Sequence, residues 1–485
     1  MITDLQLAFK ALTNKKPIYD RLIGYYDGDQ PLTYLASRLK EIFQDLDAYF
    51  AENWCSVVID STLDRINLRD IQVGSGKNNN PDWKAMWEGS ELFLESDDVH
   101  ENALVTGEAF IIAWPNEDGE PEAYVNDPRL CHMFYDPQYP RRKKFAAKWW
   151  VDEDLKLRMT LYYADRLEYY ISDKQAKNVT AVGSLRPMTE LLDVNSGLYS
   201  MIGDGADRKV VAVNEYGKVP VFHYRINKRT KSDLKSVVPI QNGINKLLTD
   251  MMVTAEFQAF PQRYVISNAE TQGKLKNSPK EVWDLPAGDN MSQGTQVGQF
   301  AAAELENYLK GIDSMATAIS SITRTPKHYF FSVGSNLSGE ALIAMEAPLN
   351  KKAQDRIDRF SPVWVQVAIC MMKMKGSEIK PSEVKAIFDR PETVQPRTTA
   401  EIRQMNSQSG IPLRTTLREE GKSKAEIDQI LQEVQDQKTE NANIAKVYLD
   451  QARKNFDQAP QSATQTSPQL QDSQLGGGNN NGGQK

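Results

Sequence analysis

Glycine-rich stretches are the first candidates for chemistry, because the backbone N–H groups and the lysine of such a loop can hold nucleotide phosphates. Gly74-Ser75-Gly76-Lys77 has suitable residue types. A complete phosphate-binding loop also needs Gly at position 71 and Ser or Thr at position 78, where this chain has Ile71 and Asn78. Gly421-Lys422-Ser423 fails in the same way, because Thr416 replaces the first glycine. Neither stretch predicts nucleotide binding.

Other chemical signatures are also incomplete. Gly203-Asp204-Gly205 lacks the third glycine of a dinucleotide-binding turn, since Arg208 stands there. Cys131 and His132 are adjacent and would point to opposite sides of a strand, and no histidines or cysteines follow a zinc-site spacing. The scattered histidines are His100, His132, His223 and His328. The carboxylates form no recognisable constellation, so we predict no metal, no cofactor and no enzymatic activity.

One loop, residues 326–337, combines basic and aromatic side chains with glycine. Its notable residues are Lys327, His328, Tyr329, Phe330, Phe331 and Asn336. The simplest interpretation buries the aromatic rings under a helical hairpin and leaves Lys327 solvated. The conformation of a loop cannot be derived from its residue pattern, so the sequence does not show which side chains point outward.

Two predicted helices flank this loop. In the first, apolar residues alternate in steps of three and four from Leu305 to Ile322, which places one apolar stripe along a helix of about 22 residues. This helix should end near Arg324, because Thr325 precedes a proline. The second should begin at Ser338 and continue beyond residue 370, with Pro348 and Pro362 bending it.

The second helix carries a family resemblance. Ser338-Gly339-Glu340-Ala341-Leu342, Glu346-Ala347-Pro348-Leu349 and Phe360-Ser361-Pro362-Val363-Trp364 resemble the tailed-phage portal proteins, in particular the siphophage group. Asn53-Trp54-Cys55-Ser56-Val57-Val58-Ile59-Asp60 and Tyr25-Tyr26-Asp27-Gly28 resemble the N-terminal region of that family. The resemblance implies an α+β portal fold: a mixed α/β wing, a two-helix stem, a small α/β clip, a long kinked helix and a helical C-terminal crown.

The rest of the chain fits this division. Alternating β-branched and aromatic residues predict a meandering sheet between residues 60 and 226, and an apolar helical face follows Ser232, with its regular part starting close to Val238. We therefore expect a wing at 1–231, a first stem helix at 232–260, a clip at 261–300, a second stem helix at 301–325, a tunnel loop at 326–337, a kinked helix returning to the wing at 338–395, a crown at 396–457 and a disordered tail at 458–485.

The resemblance also implies roles for particular residues. Within a ring, the loop at 326–337 would face the axis, where Lys327 could contact phosphates and the aromatic rings or Asn336 could form a collar around a duplex. Candidate clip contacts with other subunits or partners are Arg263, Lys274, Lys276, Lys280 and Trp283, although Trp283 fits a small β core equally well. Candidate contacts between stems of neighbouring subunits are Leu247, Met251, Leu305, Ile312 and Ile319.

Composition sets further limits. A chain of 485 residues with 40% hydrophobic and 25% charged residues predicts several globular domains. It has no apolar run of 18 residues and no export signal at its N-terminus, so we expect a soluble protein of cytosolic origin without a membrane role. Its three cysteines are widely separated and predict no disulfide framework. The net charge of −7 argues against tight wrapping of nucleic acid but not against a channel through which DNA slides.

The prediction is a portal subunit that forms a ring, dodecameric by resemblance, at one capsid vertex. It would conduct double-stranded DNA during packaging and ejection and would dock the terminase large subunit, the head-tail connector or adaptor protein, and the major capsid and scaffolding proteins. It would be assembled in the host cytoplasm and become part of the virion. The alternatives are a capsid- or scaffold-associated structural protein without a DNA channel, and a helical-stem enzyme or adaptor with unrecognised chemistry.

Overall fold

Several helices begin or end at caps that the sequence supplies. The computed structural model describes residues 3–30, 52–74, 80–188, 199–202, 209–258, 263–266, 296–299, 304–331, 339–392, 396–420, 422 and 424–457. The first helix starts with a capping box between Thr3 and Gln6 and ends at Gly28, whose φ of 90° is the left-handed conformation that glycine adopts without strain. Asn80 caps a later helix that has Pro81 in its first turn.

The described helices are α1 (Asp4–Asp27), α2 (Trp54–Leu63), α3 (Pro81–Gly89), α4 (Leu92–Thr106), α5 (Val238–Gln258), α6 (Glu306–Thr323), α7 (Gly339–Met374), α8 (Pro396–Gln408), α9 (Leu413–Glu419) and α10 (Lys424–Asp457). The last two belong to a separate compact unit, residues Gly410–Lys485, and the others to the unit Met1–Ser409. None of the helices in the described ranges is long and apolar enough to cross a membrane.

The described strands are β1 (Leu68–Val73), β2 (Glu108–Pro115), β3 (Pro121–Asn126), β4 (Cys131–Tyr135), β5 (Lys143–Val151), β6 (Lys156–Tyr162), β7 (Arg166–Gln175), β8 (Leu185–Pro187), β9 (Tyr199–Ile202), β10 (Lys209–Val213), β11 (Val221–Arg225), β12 (Arg263–Ile266), β13 (Gln296–Gln299) and β14 (Val384–Phe388). One antiparallel sheet has the order β4-β5-β6-β7-β10-β9, with β8 beside β7. The other pairings are β11-β2-β3, β1-β14 and β12-β13. The mixture of helices and antiparallel strands confirms the predicted α+β class.

The long helix α7 is the centre of the largest hydrophobic core. Its Phe360 and Trp364 are fully buried, together with apolar residues from α2, α4, β1, β2 and β11. His100 of α4 stacks on Phe360 with ring centroids 4.9 Å apart, and the indole N–H of Trp364 donates a hydrogen bond of 3.0 Å to His100 Nε2. Burial lowers the pKa of His100 to about 3, so this histidine is neutral and acts as an aromatic core residue.

Helices α5 and α6, the two helices predicted to form a stem, pack against each other. Helix α5 begins at Val238 and α6 ends at Thr323, close to the positions that the prolines predict. Small residues let the two helices approach: a side chain at Gly243 would meet Met315, and one at Gly311 would meet Leu247.

Pro348 and Pro362 lie inside the single helix α7. The bends predicted at these prolines stay a prediction, as does the division of the chain into wing, stem, clip, crown and tail. The proposed helix start at Ser338 and the tail at 458–485 lie outside the described residues.

Gly107 connects α4 to β2 and offers a test of this packing. Its φ is 98°, and an added Cβ would lie 2.5 Å from the backbone oxygen of Thr230. We expect Gly107→Ala to lower the free energy of unfolding by about 3 kcal/mol. Alanine in this left-handed conformation has a backbone strain of roughly 1–3 kcal/mol, and its Cβ would also clash with backbone atoms, which cannot rotate away as a side chain can. Urea denaturation should measure this loss. Gly119→Ala is the control, since Gly119 has a φ of 79° but nothing near its missing side chain. Equal losses in both variants would contradict the steric argument.

Candidate functional site

The described part of the predicted tunnel loop, residues 326–331, folds back onto its own chain. Residues Lys327–Tyr329 form a 3₁₀ turn. The ammonium group of Lys327 lies 2.8 Å from the carboxylate of Asp313 on α6. The side chains of this pair are 36% and 53% exposed, so the lysine is held at the surface by a solvated ion pair. Residues 332–338, and with them Asn336, lie outside the described residues.

Arg65 is the main anchor of this loop. It lies just after α2, and its guanidinium donates hydrogen bonds of 2.9 Å to the Tyr329 hydroxyl and 3.1 Å to the Ser61 carbonyl. Its Nε donates a hydrogen bond of 2.9 Å to the side-chain oxygen of Asn350, and its Nη2 lies 3.2 Å from the carboxylate of Glu346. Asn350 and Glu346 both lie on α7. One arginine thus joins α2, the loop and α7.

The aromatic residues of the loop are partly buried. Phe330 and Phe331 pack against Trp54, with ring centroids 5.7 and 5.2 Å away, and both border the main core. His328 lies 3.7 Å from Glu346. In the single chain, the aromatic side chains of residues 328–331 therefore pack as the simpler interpretation of the sequence predicts. They cover the base of the hairpin, while Lys327 remains accessible.

The predicted stem contacts divide into two groups. Ile312 and Ile319 are buried in the chain's own main core, and Leu247 and Met251 of α5 and Leu305 before α6 are partly exposed. Buried side chains are already in contact with their own chain, so Ile312 and Ile319 have almost no surface to offer a neighbour. The large apolar side chains that α6 exposes are Leu309 and Ile322, at 54% and 55%. The assignment of the five predicted residues to an interface stays a prediction, and the apolar stripe by itself does not require a ring.

Most of the predicted clip residues cannot be placed. Arg263 lies on β12, opposite Gln299 of β13. Lys274, Lys276, Lys280 and Trp283 lie outside the described residues. Their assignment to an interface stays a prediction.

A buried polar cluster around Glu108 was missed by the sequence analysis. Glu108 accepts hydrogen bonds from Lys15 at 3.0 Å and Tyr19 at 2.8 Å, both on α1, and its other oxygen lies 2.8 Å from His223 Nε2. Burial alone would raise the pKa of Glu108, but Lys15 and His223 hold it well below its usual range. The cluster joins α1 to β2 and β11. No sequence signal could have found it, because its members are far apart along the chain.

In the ranges that the structure describes, no three His, Cys, Asp or Glu side chains are grouped to hold a metal ion. Cys55, Cys131 and Cys370 are buried free thiols, and burial raises the pKa of each. Such thiols are poor nucleophiles at neutral pH.

Comparison with known proteins decides the family. The model described as Phage portal protein, SPP1 Gp6-like, matches residues 8–440, most of the chain. The chain belongs to this portal family. Portal proteins of Mycobacterium phages L5 and D29 are 23% and 21% identical over 383 residues, covering 75% of this chain and 72% and 73% of theirs.

Two solved structures with a similar chain are of gene transfer agent particles. One is a neck of an empty particle, with 12% identity, a TM-score of 0.43 and coverage of 76% of this chain and 88% of that one. Another is a native virion, with 13% identity, a TM-score of 0.38 and coverage of 73% and 83%.

Membership of the portal family gives the chain its general role. It is a structural component of a phage head, at the connection between head and tail, and serves as the channel and docking platform for genome packaging and ejection. This finding favours a portal over a capsid or scaffold protein without a channel.

Proposed function

We propose that the chain assembles as a closed ring at one capsid vertex, with twelve copies as the number expected from the family. The match to the portal family over residues 8–440 is the observation that carries this proposal. The subunit itself supplies no catalysis, and a partner ATPase, the terminase large subunit, supplies the energy for DNA movement. After packaging, a head-tail connector protein takes the place of the terminase on the ring. The major capsid and scaffolding proteins surround the ring during assembly in the host cytoplasm.

The face of α6 that carries Leu309 is the proposed contact between neighbouring stems. Leu309, in the first turn of α6, is more than half exposed, whereas Ile312 and Ala316, one and two turns further along the same side, are buried and fix α6 to the chain's core. Burying exposed apolar side chains against a neighbour is favourable in proportion to the area removed from water. Negative-stain microscopy of purified protein tests the assembly: rings with a central hole about as wide as a duplex support it, and single subunits or closed shells contradict it.

Lys327 is the proposed contact with DNA phosphates in the channel. Its ion pair with Asp313 is solvated, and exposed pairs of this kind contribute only about 0–1 kcal/mol. A passing phosphate can therefore take the place of Asp313 at little cost. Because each contact is weak and the net charge of the chain is −7, DNA is guided without being held tightly.

We expect Lys327→Gln, alone or combined with shortening of residues 332–336, to leave ring assembly intact and to reduce the retention or packaging of DNA. The physical reason is that each subunit loses one phosphate contact, and this loss is repeated in every subunit of the ring. Packaged DNA per particle is the measurement, and Lys310→Gln, which removes an exposed lysine from α6, is the matched control. Packaging equal to that of the control would exclude the proposed role of Lys327.

A further inference from the structure

A pocket of about 340 Å³ lies between the end of α6, the segment 227–236 and α7. It is separate from the loop anchored by Arg65. Its charged lining consists of four cations and two carboxylates, an excess of two positive charges: Lys231, Arg324, Lys352, Arg356, Asp233 and Asp355. Such an excess in a concave site favours a negatively charged ligand.

The pocket is lined by one buried cation, one mostly buried cation and the carboxylate that they share. Arg356 Nη2 lies 2.9 Å from Asp233, and its Nη1 donates 2.8 Å to the carbonyl of Ile226. Lys352 Nζ lies 3.0 Å from the other oxygen of Asp233, and its side chain is only 8% exposed. The two cations share one carboxylate, so one positive charge of this group has no carboxylate of its own, and burial lowers the pKa of Lys352 although Asp233 opposes this.

Two nitrogen atoms of this group have donor capacity to spare. Arg356 Nε is buried and has no hydrogen-bond partner within the described residues, and Lys352 Nζ has only its contact with Asp233 there. Buried donors are nearly always paired in native proteins. A ligand with acceptor oxygen atoms would satisfy these donors and the missing charge together.

Arg324 completes the pocket from the end of α6. It has a φ of 62°, a left-handed conformation that is uncommon for residues other than glycine. Its side chain is exposed and lines the pocket. The strained backbone thus places a third cation near the two buried ones, where it can contact the same ligand.

We infer that this pocket binds an oxyanion, a phosphate or carboxylate group held by Arg324, Lys352 and Arg356. The ligand is a small group able to enter the pocket, because Lys352 is too deeply buried for a phosphate on the surface of a duplex to reach it. Two sources supply such a group: free inorganic phosphate, or an acidic side chain of a second copy of this chain. The inference holds for the single subunit and does not depend on ring assembly.

The test is calorimetric titration of the dilute, unassembled full-length protein with inorganic phosphate at constant ionic strength. We expect saturable binding that Lys352→Met and Arg324→Asn each weaken about tenfold, the effect of losing one charge-assisted hydrogen bond. Asn tolerates the left-handed backbone at position 324, so the second variant keeps the fold. Asp355→Asn should bind phosphate several-fold more tightly. Arg359→Gln, which removes an exposed cation of the same helix outside the pocket, should bind as the unchanged chain does.

Repeating the titration on assembled protein distinguishes the two sources. Binding that is retained in the assembly assigns the pocket to free phosphate. Binding that disappears on assembly, and returns when assembly is prevented, assigns it to a carboxylate of a second copy. The absence of binding to the unassembled chain, or equal binding by Arg324→Asn, Lys352→Met and Arg359→Gln, would overturn the inference.

Discussion

Replacing Ile319 by Asp is expected to lower the free energy of unfolding by about 4 kcal/mol or more. Ile319 is fully buried in the main core, next to Ile312 and Ala316 on the same face of α6. Truncation of a buried isoleucine alone costs roughly 2–5 kcal/mol, and the new carboxyl group adds the cost of removing a polar group from water. The substitution should therefore unfold the α5–α6 hairpin of the single chain, and any loss of assembly would follow from this unfolding.

Two variants on the same helix separate folding from assembly. Ala318→Asp introduces the same charge on the exposed side of α6 and should change stability by less than about 1 kcal/mol. Leu309 is also exposed, so Leu309→Asp should fold normally, yet sedimentation should show that this variant no longer assembles. Urea denaturation measures the stability of Ile319→Asp and Ala318→Asp. If Ile319→Asp were as stable as Ala318→Asp, the burial of this stripe inside the chain would be wrong.

These variants depend on a distinction that the sequence does not contain. The alternation of Ile312, Met315 and Ile319 predicts one apolar face, and Pro326 predicts where the helix ends; both are local properties, and the structure confirms them. An apolar face shows that a helix must pack, but not whether its partner is the same chain or another subunit. Here α5 and the main core occupy most of the face, which leaves Leu309 and Ile322 exposed.

The rest of the fold shows the same limit. Strand positions were predictable from alternating apolar residues, and Asn80-Pro81 was a helix-start signal that would have located α3. Glu108 gave no comparable signal, because its partners Lys15 and His223 lie on elements brought together only by tertiary packing. Arg65 is similar: nothing near it in the sequence predicts that it binds Tyr329 and Asn350. Sequence patterns predict elements, whereas polar contacts between distant residues require the fold.

Arg65 carries the second large expected effect. Its ion pair with Glu346 is mostly buried, with side chains 11% and 15% exposed. Removing one member of a buried pair takes away the main counter-charge of the other member and costs about 3–5 kcal/mol. We expect Arg65→Met to destabilise the chain by about this amount and to release residues 326–331, because the hydrogen bond to Tyr329 is lost as well. Chemical denaturation measures the stability, and amide hydrogen exchange measures the protection of the loop.

Arg69→Met is the matched control, because Arg69 lies on β1 and forms a more exposed ion pair with Asp389. It should cost less than about 1 kcal/mol and leave the loop protected. The double variant Arg65→Met with Glu346→Met should recover part of the stability, since it also removes the carboxylate that loses its arginine, but it should not restore protection of the loop. A loop that stays protected in Arg65→Met would show that Trp54 and its contacts with Phe330 and Phe331 are the true anchor.

The outcome for DNA then follows from the position of Lys327. This lysine reaches Asp313 from a turn that Arg65 holds through Tyr329, so freeing the turn also frees the proposed phosphate contact. Particles carrying the double variant should therefore retain less DNA although Lys327 is still present. If they retained as much DNA as Arg69→Met particles while the loop was unprotected, the position of Lys327 would not matter, and the charge alone would account for its effect on the duplex.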